Sequence, residues 1–385
     1  MVKYRQIARR TKKTLSAEEC SEIAVNAINR HLTISINGTL KQKTIIQSLV
    51  GMSANKLSIH SIDKVVEEIP CETSVRYHLS KVDLNLLQEV QSKILTYSQN
   101  KILLPGKPFH FAIDFTNDPY YGEIVEVNQD YVMRSKMKDS TTKFYSYVSL
   151  YIITKGQRLT LAVFPTKKGV SKVEYLRRFL KIITCLKVKI TVLCLDRGFY
   201  SKDVFAFLQN ENVPHIVPVR KHGEELKKIL TGNHSRYDRY TMIGTGEPLD
   251  LTLAIDVHYL QGRNGKHGNV NLGYVVHGID WNPRKVYSSY KNRFAIESSY
   301  RIRNIVKAKT TSRNVTIRYL FTIISFLLKN IWVSLQWICF SRAQRGPKTI
   351  DENLFPFDLF RIFVWEGIKK KLKPITFIGV LRSLG

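Results

Sequence analysis

Residues 188–196, VKITVLCLD, form an almost unbroken apolar run that stops on a carboxylate. A short run this rich in Val, Ile and Leu reads as a strand buried on both faces, the kind found inside a sheet covered by helices. Its neighbours agree. A helical stretch of roughly Lys172 to Cys185 precedes it, another of about Lys202 to Gln209 follows, and VPHIVPVR reads as the next strand. Upstream, LPGKP punctuates the chain before FHFAIDF, and YSYVSLYIIT and RLTLAVFP read as two more strands. Strands first, then helix and strand in alternation, predict an α/β fold with a mixed sheet and flanking helices.

The flanks have a different texture. Residues 1–104 read as a helical domain, with apolar positions such as Ile23, Ala24, Ala27 and Ile28 at three-to-four spacing. Near its end a short helix up to Ile69 meets Pro70, and Thr73 or Ser74 could cap a second helix carrying Arg76, Tyr77, His78 and Lys81. That outline fits a helix-turn-helix, and equally two packed helices with a solvated basic face. From about 222 to 285 lies a β-rich block, whose strands LDLTLAIDVHYL and NLGYVVHGI flank the basic turn QGRNGKHGN. Gly262 to Lys266 hints at a phosphate-binding loop, but the run is too short and His267 stands where Ser or Thr is needed, so a basic hairpin tip is expected. Helices are expected from about Tyr287 to Thr310 and Asn314 to Phe340. The division is thus 1–104, a core of 105–345, and a basic and apolar tail of 346–385.

The chain's 60 Lys and Arg against 31 Asp and Glu leave a net charge of +29, a field that attracts polyanions, of which nucleic acid is the commonest. Its five cysteines are odd in number, widely spaced and without C-x-x-C, which speaks for reduced, mostly buried thiols and a cytoplasmic protein, expected on the nucleoid if its charge draws it to DNA. Basic residues at the N-terminus have no apolar stretch behind them, unlike a secretory signal. Tyr319 to Phe340 is the most apolar segment. Lys329, Asn330 and Gln336 interrupt it, so a buried helix is expected rather than a membrane span.

Asp114 and Asp196 each put a charge at an apolar strand, where it is costly without a partner. The Asp196–Arg197–Gly198 step places a carboxylate at the carboxyl end of the sheet, where open α/β sheets bind ligands. Either acid alone could merely cap a turn; two on neighbouring strands of a +29 chain are better explained by a shared cation. Glu297 lies in a helical segment, and at ~100° per residue Tyr290, Arg293 and Glu297 fall on one arc, extended by Arg301 and Asn304. A surface pair of Glu297 with Arg293 or Arg301 is the plain alternative. Three carboxylates suit hard divalent cations such as Mg²⁺, which prefer oxygen ligands and share their sites with substrate phosphate. There is no H-E-x-x-H and no Ser/His/Asp motif. Asp118, Asp256 and Asp280 are read as turn or surface acids. Arg197 either touches phosphate or pairs with Asp196.

These residues resemble the prokaryotic insertion-sequence DDE transposases with a ribonuclease-H-like core, most closely an archaeal branch, over roughly 105–340. AIDFTNDPYYG and CLDRGFYS look like the family's first two motifs. Tyr290, Arg293 and Glu297 fit its Y-x2-R-x3-E-x6-K signature. Asn304 takes the Lys position, with Lys307 three residues on. The resemblance implies that Asp114, Asp196 and Glu297 hold two Mg²⁺ or Mn²⁺ ions and act on double-stranded DNA. Hydrolysis at a transposon end would come first, then attack of the freed 3′-hydroxyl on target DNA. It also implies a homodimer joining two ends in a synaptic complex. Tyr290, Arg293, Arg301, Arg197 and Lys307 are its candidate contacts near the cut, and Arg76, Tyr77 and Lys81 its candidates for end recognition. Two other readings use the same residues: a ribonuclease-H-like nuclease or resolvase without strand transfer, and a domesticated, non-catalytic DNA-binding protein.

Overall fold

A computed structural model describes residues 14–262, 267–342, 344 and 348–377. The Gly262–Lys266 loop therefore falls mostly outside the described residues. The chain begins with helices α1 (Ala17–His31), α2 (Gln42–Ala54), α3 (Ile59–Ile62), α4 (Glu72–Ser80) and α5 (Leu84–Thr96). Next come β1 (Pro108–Pro119), β2 (Val132–Lys138), β3 (Thr141–Ile152), β4 (Thr160–Pro165), α6 (Lys172–Cys185), β5 (Lys189–Leu195), α7 (Lys202–Asn210) and β6 (His215–Pro218). Then follow α8 (Glu224–Ile229), β7 (Arg236–Met242), β8 (Leu249–Gln261), β9 (His267–His277), α9 (Pro283–Lys291), α10 (Ala295–Ile305) and α11 (Val315–Cys339). Strands β10 (Ser341–Arg342) and β11 (Thr349–Ile350) precede the last helix, α12 (Phe357–Leu372).

The expected cuts at 104 and 345 differ from the compact units of the structure. One unit gathers the described residues up to Ile102, Asp118–Tyr145, and those from Ser299 onward; the other holds Leu103–Asn117 and Ser146–Ser298.

In the first unit, α11 runs through the middle with almost its whole length buried, packed by α1, α2, α4 and α5. By length and mean hydropathy of 1.3 it passes for a membrane span, yet 83% of that window is buried inside the protein. Its polar residues have protein partners: the Asn330 amide donates to the Leu95 carbonyl and the Ser334 hydroxyl to that of Ser98. Helix α1 starts at a reciprocal capping box of Ser16 and Glu19, which satisfies two otherwise orphaned donors.

Two expectations change in this unit. The helix expected to run to Ile69 is the single turn α3; beyond it residues 65–68 bond to residues 372–375, with Glu67 N–H donating to the Lys373 carbonyl. The helix-turn-helix outline thus keeps only its second member, α4. The basic tail, moreover, is a helix docked on α1 and α2. Gly367 permits that approach, since a Cβ there would meet the Ala17 carbonyl oxygen at 2.3 Å. Its lysines are matched by acids: Lys369 by Glu366, Lys370 by Glu18, Lys371 by Glu22 and Lys373 by Glu68.

The second unit is a mixed sheet in the order β4-β3-β1-β5-β6-β9-β8-β7 with helices on it. Strands β1, β5 and β6 run parallel, and β9 adds antiparallel to β6. The β-rich block therefore continues the sheet edge. Strand β5 forms where the apolar run predicts it, and Val192 to Leu195 are completely buried. All five cysteines are free. Cys20 and Cys194 are buried, but Cys71, Cys185 and Cys339 are exposed, contrary to the expectation of mostly buried thiols.

Candidate active site

Register brings the first two carboxylates together. Parallel pairing of β1 with β5 ends at Ile113 opposite Leu195, so Asp114 and Asp196 are the next residues on adjacent strands. Asp196 leaves the sheet at once: its carboxylate accepts the Gly198 N–H at 3.3 Å and caps a 3-10 turn over Arg197–Phe199. Below that turn Phe115 stacks on Phe199 with centroids 4.9 Å apart. The plain turn-capping role anticipated for such an acid is thus real for one oxygen of Asp196, and its other oxygen faces a cation.

That cation is Arg293. Its guanidinium donates to Asp114 Oδ2 at 3.0 Å and lies 3.7 Å from Asp196 Oδ1. The helix carrying it tightens at this point. Asn282 caps α9, which ends at Lys291; a 3-10 turn over Asn292–Phe294 follows, and α10 begins at Ala295. The single arc expected for Tyr290, Arg293 and Glu297 assumes α-helical pitch throughout. In the tighter turn Arg293 points inward, only 6% exposed, and Tyr290 is equally buried, its ring 5.4 Å from the guanidinium. Glu297 stands exposed in the first turn of α10.

Asp114 is the most perturbed acid here. Burial pushes its carboxyl up to about 6; Arg293 opposes that rise, and the charges of Asp196 and Glu297 add to it. The Glu297 contribution is the smallest of these. Among the described residues no set of three acids, histidines or cysteines already stands at ligating distance of one point. The donor chemistry nonetheless fits hard cations: oxygen donors, two carboxylates close enough to share one positive group, and one of them short of counter-charge.

Beside Asp196 opens a cleft of about 380 Å³, lined by Arg197, Lys291 and Arg293 together with Tyr274, Tyr287, Tyr290 and Phe294. Arg197 is exposed at its rim. Cations and aromatic rings next to paired carboxylates make a surface for a phosphate-bearing, ring-containing chain. Tyr274, Tyr287, Lys291 and Phe294 escaped the sequence reading, although Tyr287 lies three residues before Tyr290 on α9 and so shares its face.

The remaining predicted DNA contacts lie in the first unit, as does Asp118. Lys307 pairs with Asp118, and Arg303 donates to the other oxygen of Asp118 at 2.6 Å. Asp118 is therefore no turn or surface acid. Burial alone would raise its pKa, but the charges and hydrogen bonds of Arg303 and Lys307 outweigh it and hold the carboxyl at about 2. Lys307 is thereby committed inside the protein. Arg301 is exposed. On α4, Arg76 bonds to Glu72 at 2.7 Å, Tyr77 is 53% exposed, and the Lys81 ammonium sits 3.9 Å over the Tyr77 ring. In the second unit Asp256 is likewise buried, accepting from Ser235 and bonded to His258 at 2.6 Å, while Asp280 is exposed as expected.

Residues 105–309, just over half of the chain, match the family model described as a transposase DDE domain. The chain belongs to the DDE transposase family. The match spans Asp114, Asp196 and Glu297. Among solved structures, the transposase is similar to the piggyBac transposase in a synaptic complex with hairpin DNA, determined by cryo-EM. The TM-score is 0.56 at 12% identity, over 97% of this chain and 84% of that one. At that identity the likeness is one of fold. No curated protein sequence matches.

Proposed function

We propose that this DNA transposase cuts a phosphodiester at a transposon end and joins the freed 3′-hydroxyl to target DNA, using Asp114, Asp196 and Glu297. The observation that carries the assignment is the β1–β5 register, which sets Asp114 beside Asp196 within the matched family region. A ribonuclease-H-like core is supported by the order β4-β3-β1-β5-β6, with β3 and β4 antiparallel and β1, β5 and β6 parallel. The Tyr290, Arg293 and Glu297 spacing supports placing the chain with the prokaryotic insertion-sequence transposases.

The three carboxylates would hold two Mg²⁺ (or Mn²⁺) ions, which supply Lewis-acid stabilisation of the phosphoryl oxygens and a more acidic attacking group. Arg197 and Lys291 flank the path of the strand beside Asp196. Tyr274 and Tyr287 offer it faces to lie on. In the first step water attacks phosphorus and the 3′-oxygen leaves. In the second that 3′-hydroxyl attacks a target phosphodiester and displaces another 3′-oxygen. One ester bond forms for each one broken, so strand transfer consumes no nucleotide triphosphate. Two ends must be handled together, which calls for a homodimer on the nucleoid.

The test uses DNA flanking the gene as substrate with Mg²⁺ or Mn²⁺. Asp114→Ala, Asp196→Ala and Glu297→Ala are each expected to lose cleavage while still binding DNA; full activity in one removes that residue from the site. A strand-transfer assay then separates this reading from a nuclease or resolvase, which would cut and never join.

A further inference from the structure

Strand β2 of the β2–β3 hairpin lies bare over its outer half, while the β3 side is held by residues 120–122. Arg134 to Ser140 are exposed without a break, so both faces of β2 meet solvent there. The base is anchored by buried Val132, and next to the tip the Thr141 hydroxyl donates to the Tyr120 carbonyl at 2.9 Å. The tip is a two-residue turn, Asp139–Ser140, between the paired Lys138 and Thr141; both turn residues have positive φ, 49° and 59°. That tight turn suits the right-handed twist of a ribbon. Tyr121 braces it by donating to the Asp139 carbonyl at 2.7 Å.

What the ribbon displays is Arg134, Lys136 and Lys138, none of them in an ion pair among the described residues, with Met137 76% exposed between the two lysines. Lysine on an exposed strand can serve simply to discourage edge pairing. That purpose does not call for a bare methionine among the cations. The lysines of α12 make the contrast, each facing a carboxylate. A two-stranded ribbon is an element that a DNA groove admits, and an apolar side chain at its end can reach base edges or steps while flanking cations hold phosphates.

We propose that the β2–β3 ribbon is a DNA-contacting arm: Arg134, Lys136 and Lys138 neutralise backbone phosphates, and Met137 packs inside the groove. The inference rests on the transposase reading for its partner, duplex DNA.

The experiment is anisotropy titration of the full-length protein against a labelled mixed-sequence duplex of about 30 base pairs, across a salt series. EDTA is included so that no cleavage intervenes. Replacing Arg134, Lys136 and Lys138 together by Thr, which keeps strand propensity, is expected to make the slope of log affinity against log salt shallower by about 2.7, or about 0.9 for each phosphate that is no longer neutralised. Met137→Ala is expected to weaken binding several-fold at unchanged slope. As a check independent of folding, bound duplex should protect Lys136 and Lys138 of the wild type from acetylation. An unchanged slope and affinity, or unprotected lysines, overturns the arm. So does a shift in oligomeric state with DNA affinity intact, which would make the ribbon a protein contact. Failure of the wild type to bind duplex at all would count against the transposase reading instead.

Discussion

At the residue scale the decisive side chain is Arg293, because it supplies the counter-charge that Asp114 and Asp196 share. It does not fully suffice for Asp114, whose carboxyl rises to about 6 while an unfolded Asp titrates near 3.9. Between roughly pH 4 and 6 the folded chain therefore holds a proton the unfolded chain has lost, and stability falls as pH rises through that window. By neutral pH the cost is roughly 3 kcal/mol. In EDTA at pH 7.5, Asp114→Asn should thus melt several degrees above the wild type, and the gap should close at pH 4. Thermal scans at both pH values check it; a variant less stable than wild type at pH 7.5 would mean that the Arg293 pair outweighs the desolvation. Asp118 carries the opposite sign. It holds a fully buried Arg303, so Asp118→Asn leaves that charge unpaired and should lower unfolding stability by about 3–5 kcal/mol in chemical denaturation. Because its carboxyl is held at about 2, the contribution of Asp118 is present above pH 4 and lost only as pH falls toward 2.

At the scale of elements, β5 and its Asp196 were legible because an apolar run that ends in a carboxylate leaves few alternatives. Asp114 was legible for the same reason. The tightening at Asn292–Phe294 was not, since no Pro or Gly marks it and the apolar spacing continues across it; only the pull of two carboxylates on Arg293 accompanies the tighter turn. Nor could the sequence tell that Asp118 is buried, because its partners Arg303 and Lys307 lie 185 and 189 residues away. The role of α12 was hidden similarly: KKK next to an apolar stretch looks like a tail until its acids on α1 are known. Two consequences follow for α12. Ending the chain at 345 should expose the α1 and α2 surfaces it covers and give an insoluble or strongly destabilised protein. Gly367→Val should lower the melting temperature markedly, because the new side chain meets the Ala17 carbonyl and the Ser21 hydroxyl. A soluble truncated chain that melts like the wild type would contradict this packing.

At the scale of the whole molecule, the charge of +29 acts on stability as well as on partners. Like charges repel within a compact fold, and salt screens that repulsion over about 10 Å at 0.1 M. Salt also weakens the exposed ion pairs, such as those of Lys370 with Glu18 and Lys373 with Glu68. Which effect wins can be decided by magnitude. Exposed pairs contribute about 0–1 kcal/mol each, and several contribute nothing measurable. An excess of twenty-nine positive charges has far more unfavourable pairs than favourable ones to screen. The melting temperature should therefore rise as sodium chloride goes from low to moderate concentration, with polyanions such as heparin raising it further at far lower concentration. The same salt should weaken duplex binding steeply, because it replaces the counterions that binding releases. A protein whose stability falls with salt while its DNA affinity also falls would show that local ion pairs, rather than net repulsion, govern its electrostatics.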